Sequence, residues 1–176
     1  MNTTEIYLRA PEPEDLDFLL QLENESEAME AGTPATGPYS RFQLKRYIAQ
    51  NTNDLYTDRE LRLMIGLSAT AQPVGIIDVF SFDPRHQRAE VGIVVQKGFR
   101  GRGIAAAALT LLERHCFGLP GVHQLYAFIR KDNKASLALF LHRGYEVAGE
   151  IKDWTATPTG FQPVLLVQKI NPAHST

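Results

Sequence analysis

Arg100, Gly101, Arg102 and Gly103 run directly into Ile104-Ala105-Ala106-Ala107-Ala108, so two guanidiniums and two glycines stand at the opening of an alanine-rich helix. A helix start offers unpaired N–H groups and the positive end of the backbone dipole. Glycine lets backbone approach a ligand with no Cβ in the way, and guanidinium makes planar, paired contacts with phosphate oxygens. The pattern predicts an anion site with phosphate or pyrophosphate as its occupant. A nucleoside-triphosphate loop would need Lys-Ser or Lys-Thr after the last glycine, and Ile104-Ala105 stands there instead. Gly101-x-Gly103-x-x-Ala106 does satisfy a dinucleotide fingerprint, with Asp132 downstream as a ribose partner. That fingerprint opens a first βαβ unit directly at a strand end, whereas Gln96 to Arg100 intervene here and a long β-rich stretch comes before.

A third chemistry fits better. Arg100-x-x-Gly103-x-Ala105 resembles the pyrophosphate-loop signature [Gln/Arg]-x-x-Gly-x-[Gly/Ala] of the GNAT superfamily of acyl-CoA-dependent N-acetyltransferases. Further on, Asn133-x-x-Ser136-x-x-Leu139-Phe140-x-x-x-Gly144-Tyr145 is similar to the asparagine-headed helix of the same family. The resemblance is clear from about Val74 to Glu150. Within it, Asp83 to Glu90 is similar to the approach to the central strand in spermidine N-acetyltransferases and ribosomal-protein N-terminal acetyltransferases.

The resemblance implies an α/β fold with a mixed, mostly antiparallel central sheet, splayed between the fourth and fifth main strands and flanked by helices. It implies acetyl-CoA as co-substrate and direct attack of an amine in a ternary complex. Backbone groups of Ile93, Val94 and Val95 would pair with the pantetheine arm, and Arg100, Gly101, Arg102, Gly103, Ile104 and Ala105 would hold the pyrophosphate. Asn133 and Ser136 would bind further along the coenzyme, although Asn133 is also a good helix N-cap without any ligand. Phe140 stands where many family members carry a general-acid tyrosine; it would pack the pantetheine arm but cannot donate a proton.

Acetylating an amine also requires removing its proton. A lysine-like amine has a pKa of roughly 10.4, so deprotonation at neutral pH costs about 4–5 kcal/mol. Glu90, at the start of the central strand, is the first candidate for the base. Asp78, where spermidine acetyltransferases also carry an acid, is the second, as a group that attracts a cation. Strand alternation puts Glu90, Gly92 and Val94 on one face, without saying whether that face is the cleft or the solvated side, where Arg88 or Arg85 would pair with the acids. Glu23, Glu25, Glu27 and Glu30 suit a polyamine site, but the ordinary reading of such a charge run is a solvated helix face. Thr36-Gly37 before Pro38-Tyr39, where the spermidine branch carries acids, argues against polyamines.

The remaining elements must position these groups. The 176 residues suit a single N-acetyltransferase domain spanning 1–176, and 44% hydrophobic with 22% charged residues is ordinary for a globular chain. A net charge of −2 with no basic block argues against nucleic acid as partner. The sequence has no signal-like start and no membrane-length apolar run, so a cytoplasmic location is expected. No His or Cys pair has ligand spacing, so no metal is expected. Lone Cys116 in an apolar helix reads as a buried, inert thiol. Strands are expected at 6–9, 61–67, 74–80, 88–95, 124–129, 145–154 and 161–168, with the last two closing as a hairpin around Pro158-Thr159-Gly160. Helices are expected after Pro13, over 41–48 behind the N-cap Ser40, over 103–116 and over 133–142. The acceptor is a small amine, a polyamine or a protein N-terminus, and a homodimer is compatible with the resemblance. The other readings are a GNAT domain that has lost transfer and senses acyl-CoA, which Phe140 favours, and a dinucleotide-binding oxidoreductase.

Overall fold

The computed structural model describes residues 4–25 and 37–174. In chain order the elements are β1 (Ile6–Arg9), α1 (Leu16–Glu23), α2 (Arg41–Gln50), α3 (Leu55–Asp58), β2 (Leu61–Leu67), β3 (Pro73–Asp83), β4 (Arg88–Val95), α4 (Ile104–Phe117), β5 (Gln124–Arg130), α5 (Lys134–His142), β6 (Glu146–Thr157) and β7 (Gly160–Ile170). The seven strands make one sheet in the order β1-β2-β3-β4-β5-β7-β6, antiparallel except for the β4–β5 pair. The expected strands and helices form within a few residues of their expected ends. The exception is α3, a single turn whose N-cap Asp54 accepts from the N–H groups of Tyr56 and Thr57, and which is too short to leave an apolar period. Of the stretch 36–39 compared above with the spermidine branch, Thr36 lies outside the described residues.

Alternation along the strands gives the sheet two buried faces. Ala89, Val91 and Val95 of β4 point to the larger core, where Ile104, Ala108, Leu109 and Leu112 of α4 pack against Ile77, Val79, Leu125 and Ile129. On the opposite face Met64, Ile76 and Val94 meet Leu19 and Leu22 of α1 and Leu44 of α2. Ser40 caps α2 in a reciprocal box with Gln43, accepting from its N–H at 3.1 Å while the Gln43 side chain accepts from the Ser40 N–H.

The feature that positions the site is a fork. β4 and β5 pair only at Arg88–Gln124, Ala89–Leu125 and Glu90–Tyr126. Beyond Glu90, β4 keeps its ladder with β3 alone, as far as Gly75–Val95. β3 comes so close there that a Cβ on Gly75 would stand 2.4 Å from the Val94 carbonyl oxygen. The strand end is also tied by the Gln96 N–H donating to the Val74 carbonyl (2.8 Å) and by Arg100 Nε donating to the Val95 carbonyl (2.9 Å). Held on that side, β4 diverges from β5 and leaves a backbone edge facing a gap.

Candidate active site

The glycine turn sits at the open end of the fork. Gly101 and Gly103 have φ of 74° and 77°, and no atom lies within 4 Å of where a Cβ would stand at either. Backbone conformation, rather than crowding, is therefore what demands glycine at both positions. Gly103 heads α4 without a side-chain cap. The first intrahelical bond runs from the Ala107 N–H to the Gly103 carbonyl (3.0 Å), so the N–H groups of Ile104, Ala105 and Ala106 precede it, as an anion site requires. Arg102 lies over the Phe99 ring at 5.2 Å and donates from Nη2 to the Gly98 carbonyl (2.9 Å). Arg100 and Arg102 thus also build the turn.

Along the open edge of β4, Ile93 packs on the α4 side and Val94 on the α1–α2 side, while Val95 is buried in the larger core. Past the fork, Asn133 caps α5, its Oδ1 accepting from the Ser136 N–H at 3.1 Å. Phe140 is a core residue. Only 2% exposed, it meets Tyr145 edge-on at 4.8 Å, so truncating it would open a cavity in the larger core.

The face that carries Glu90 is also settled. Glu90 lies abreast of Phe80 on β3 and of Tyr126 on β5, and shares its face with Val94, which packs under α1 and α2. Burial pushes its carboxyl up to about 7, and among the described residues it has no ion pair. The anticipated partner Arg88 faces Asp83 instead, at 3.7 Å. Burial, followed by the nearby Glu90 charge, raises the Tyr126 hydroxyl. A half-buried carboxyl titrating near neutrality at the closed end of a cleft is suited to take a proton.

Asp78 is engaged differently. Its carboxylate accepts both Nε (2.9 Å) and Nη2 (2.7 Å) of Arg62, whose Nη1 pairs with Glu23. The Arg62 guanidinium also lies over the Tyr47 ring at 5.4 Å. Glu23 is buried in this network rather than solvated on a helix face, and Glu27 and Glu30 lie outside the described residues. The network ties the end of α1 to β2, β3 and α2 and carries two carboxylates against one guanidinium.

A family model for the acetyltransferase (GNAT) domain matches residues 5–146. The chain belongs to that family. It is 25% identical over 147 residues to a spermidine N(1)-acetyltransferase of Escherichia coli K12, covering 83% of this chain and 75% of that one. It is 22% identical over 149 residues to the Vibrio cholerae spermidine N(1)-acetyltransferase, covering 84% and 83%. The solved structure of the V. cholerae enzyme in complex with CoA and spermine superposes with a TM-score of 0.82 at 20% identity, covering 94% of this chain and 95% of that one.

Acetyl-CoA is the co-substrate of GNAT acetyltransferases, and the protein is an acetyl-CoA-dependent N-acetyltransferase. Its GNAT cleft fits that group: a forked strand edge, an uncapped helix start and two positive-φ glycines lie in sequence along one gap. No helix among the described residues is long and apolar enough to cross a membrane, and they hold no cluster of metal-ligating side chains. Motif reading did not reach Arg62 or Tyr47, which belong to no signature, nor the rings of Tyr126, Phe128 and Trp154. The half-buried alternation of Tyr126 and Phe128 was the available signal for the rings.

Proposed function

We propose that the protein moves the acetyl group of acetyl-CoA to a primary amine of a small cationic acceptor by direct attack in a ternary complex. The amine lone pair attacks the thioester carbonyl carbon, the tetrahedral adduct collapses, the C–S bond breaks and the coenzyme thiolate leaves. Glu90 receives the amine proton, directly or through water. Backbone N–H groups on the open β4 edge, from Ile93 to Val95, polarise the thioester carbonyl, a contribution worth about 3–4 kcal/mol where such donors have been removed. The observation that carries this reading is the Glu90 carboxyl, without an ion pair among the described residues and pushed up to about 7, at the closed end of the fork whose open end is the glycine turn. The named activity of the relatives makes polyamines the first acceptors to test, with peptide N-termini beside them. Self-association is part of the proposal, since a V. cholerae spermidine N-acetyltransferase structure is dodecameric.

One observation favours a second reading, an acyl-CoA sensor without transfer. Phe140 replaces the hydroxyl that would protonate the thiolate and is closed into the core. The coenzyme thiol has a pKa near that of free cysteine, about 8.5, and leaves without much help. Thiol release from acetyl-CoA, measured across a panel of amines, decides between them. Turnover with any primary amine supports transfer; coenzyme binding without release under every amine leaves the sensor.

A further inference from the structure

Tyr126 starts a line of rings on the face that carries Glu90. Phe128, two residues along β5 and so on the same face, meets it edge-on at 5.7 Å. Trp154 of β6 stacks on Phe128 at 5.3 Å and 29° between planes. Two irregularities bring it there: the β6–β7 register shifts between Ile151 and Thr155, and Asp153 takes a φ of 51°. Such a bulge re-aims a side chain out of the simple alternation. The sheet face covered by α1 and α2 on one side of the fork therefore continues on the other as aromatic surface, and Trp154 keeps 53% of its surface exposed.

The charges around this line favour a cation. Two basic side chains beside it are neutralised locally, Arg88 by Asp83 and Arg130 by Asp132, to which its Nε donates at 3.0 Å. What remains is the Glu90 carboxyl at one end and the Arg62 network, with one more carboxylate than guanidinium, across the same face. Ring faces carry negative quadrupole potential, and a cation within about 6 Å of a ring centre is attracted to it, the more so the drier the site. An aryl body would stack on the same rings but would leave this potential unused.

We propose that Tyr126, Phe128 and Trp154 form the subsite for the body of the acceptor: with the reacting amine at Glu90, a linear alkyl chain bearing a second ammonium lies along the three rings. The inference rests on the proposed acyl-transfer reading, and it assigns the acceptor's length and charge to aromatic faces rather than to a ring of acids.

Trp154 is the one tryptophan in the chain, so its emission reports on the subsite without any need for turnover. The full-length protein, saturated with CoA, is titrated with spermidine, with heptylamine as the monoamine of similar length, and with phenethylamine as an aryl amine. Spermidine should quench or shift the emission at the lowest concentration. In steady-state assays Trp154→Ala should raise KM for spermidine about 5- to 20-fold, raise it less for heptylamine, and leave kcat and the KM for acetyl-CoA within twofold, whereas Trp154→Phe should restore most of the loss. Phe128→Leu should act in the same direction. Tightest binding by phenethylamine would replace the cationic chain with an aryl body and overturn the assignment. So would an emission indifferent to all three amines, or one that follows protein concentration because a second copy covers the rings. If no amine releases thiol while spermidine still shifts Trp154, transfer has failed and the subsite has survived.

Discussion

On the coenzyme side of the fork, recognition is assigned to backbone: the open β4 edge, the uncapped N–H groups of α4, and Gly101 and Gly103 at positive φ. On the acceptor side it is assigned to side chains: Glu90, the Arg62–Glu23–Asp78 network and the aromatic line. Backbone recognition is insensitive to most substitutions and fails where a glycine conformation is lost. Side-chain recognition is modular, so each residue can change a different parameter. Mutations should therefore produce all-or-none effects on one side and separable ones on the other.

The largest effect is expected from Gly103→Asp, which puts a Cβ at φ 77° and a carboxylate at the uncapped start of α4, where the pyrophosphate is proposed to bind. Acetyl-CoA should lose about a thousandfold in affinity, combining backbone strain with like-charge repulsion at a helix start. Calorimetric titration of the folded variant checks this, and undiminished affinity would remove the glycine turn from the coenzyme side altogether.

Glu90→Gln should come next, lowering kcat about 10- to 1000-fold and flattening a pH–rate rise centred near 7. The same change should alter stability in a defined direction. Because the folded pKa lies above the ordinary carboxyl value, the native state holds its proton where the unfolded chain has lost it. Wild-type stability should then fall as pH rises from about 4.5 to about 7. Glu90→Gln should accordingly melt higher than wild type at pH 8 and close to it at pH 4. A wild-type pH–rate profile in the variant would mean that the amine proton leaves through water alone.

Arg62→Ala leaves the buried Glu23 and the half-buried Asp78 without their shared cation and should cost about 3–5 kcal/mol in urea unfolding. The KM for the acceptor should change while that for acetyl-CoA does not; an equal effect on both substrates would erase the division between the two sides. Smallest of all should be Phe140→Tyr, with kcat within about threefold of wild type, since general-acid help matters little for a thiol leaving group. A gain of tenfold or more would mark thiolate protonation as the missing step and bring the sensor reading forward.

The same division explains what could be read from sequence. The coenzyme side is local in the chain: Arg100 to Ala105 and Asn133 to Phe140 are contiguous signatures, and strand alternation with helix capping placed nearly every element around them. The acceptor side is assembled across the fold. Arg62 reaches Glu23 from 39 residues away and Asp78 from 16, and no pattern in either neighbourhood announces the meeting. Which face Glu90 occupies needed the helices in place, because alternation defines two faces without labelling them. Trp154 joined the aromatic line only through a bulge, which breaks the alternation from which its direction would be read. Motif position places Phe140 beside the coenzyme arm, but that it is 2% exposed and meets Tyr145 edge-on is a matter of packing that the motif does not carry.

Cys116 has no place in this chemistry, and that has a use. The thiol is fully buried, and burial pushes its pKa up to about 12, so at neutral pH it stays a protonated thiol. An enzyme that keeps a reactive thioester close to its own surface is exposed to acylation of its own cysteines, and this one offers its donor no nucleophilic sulfur to modify. Disulfide reagents that titrate liberated coenzyme should count product alone, with no protein thiol reacting until the chain unfolds.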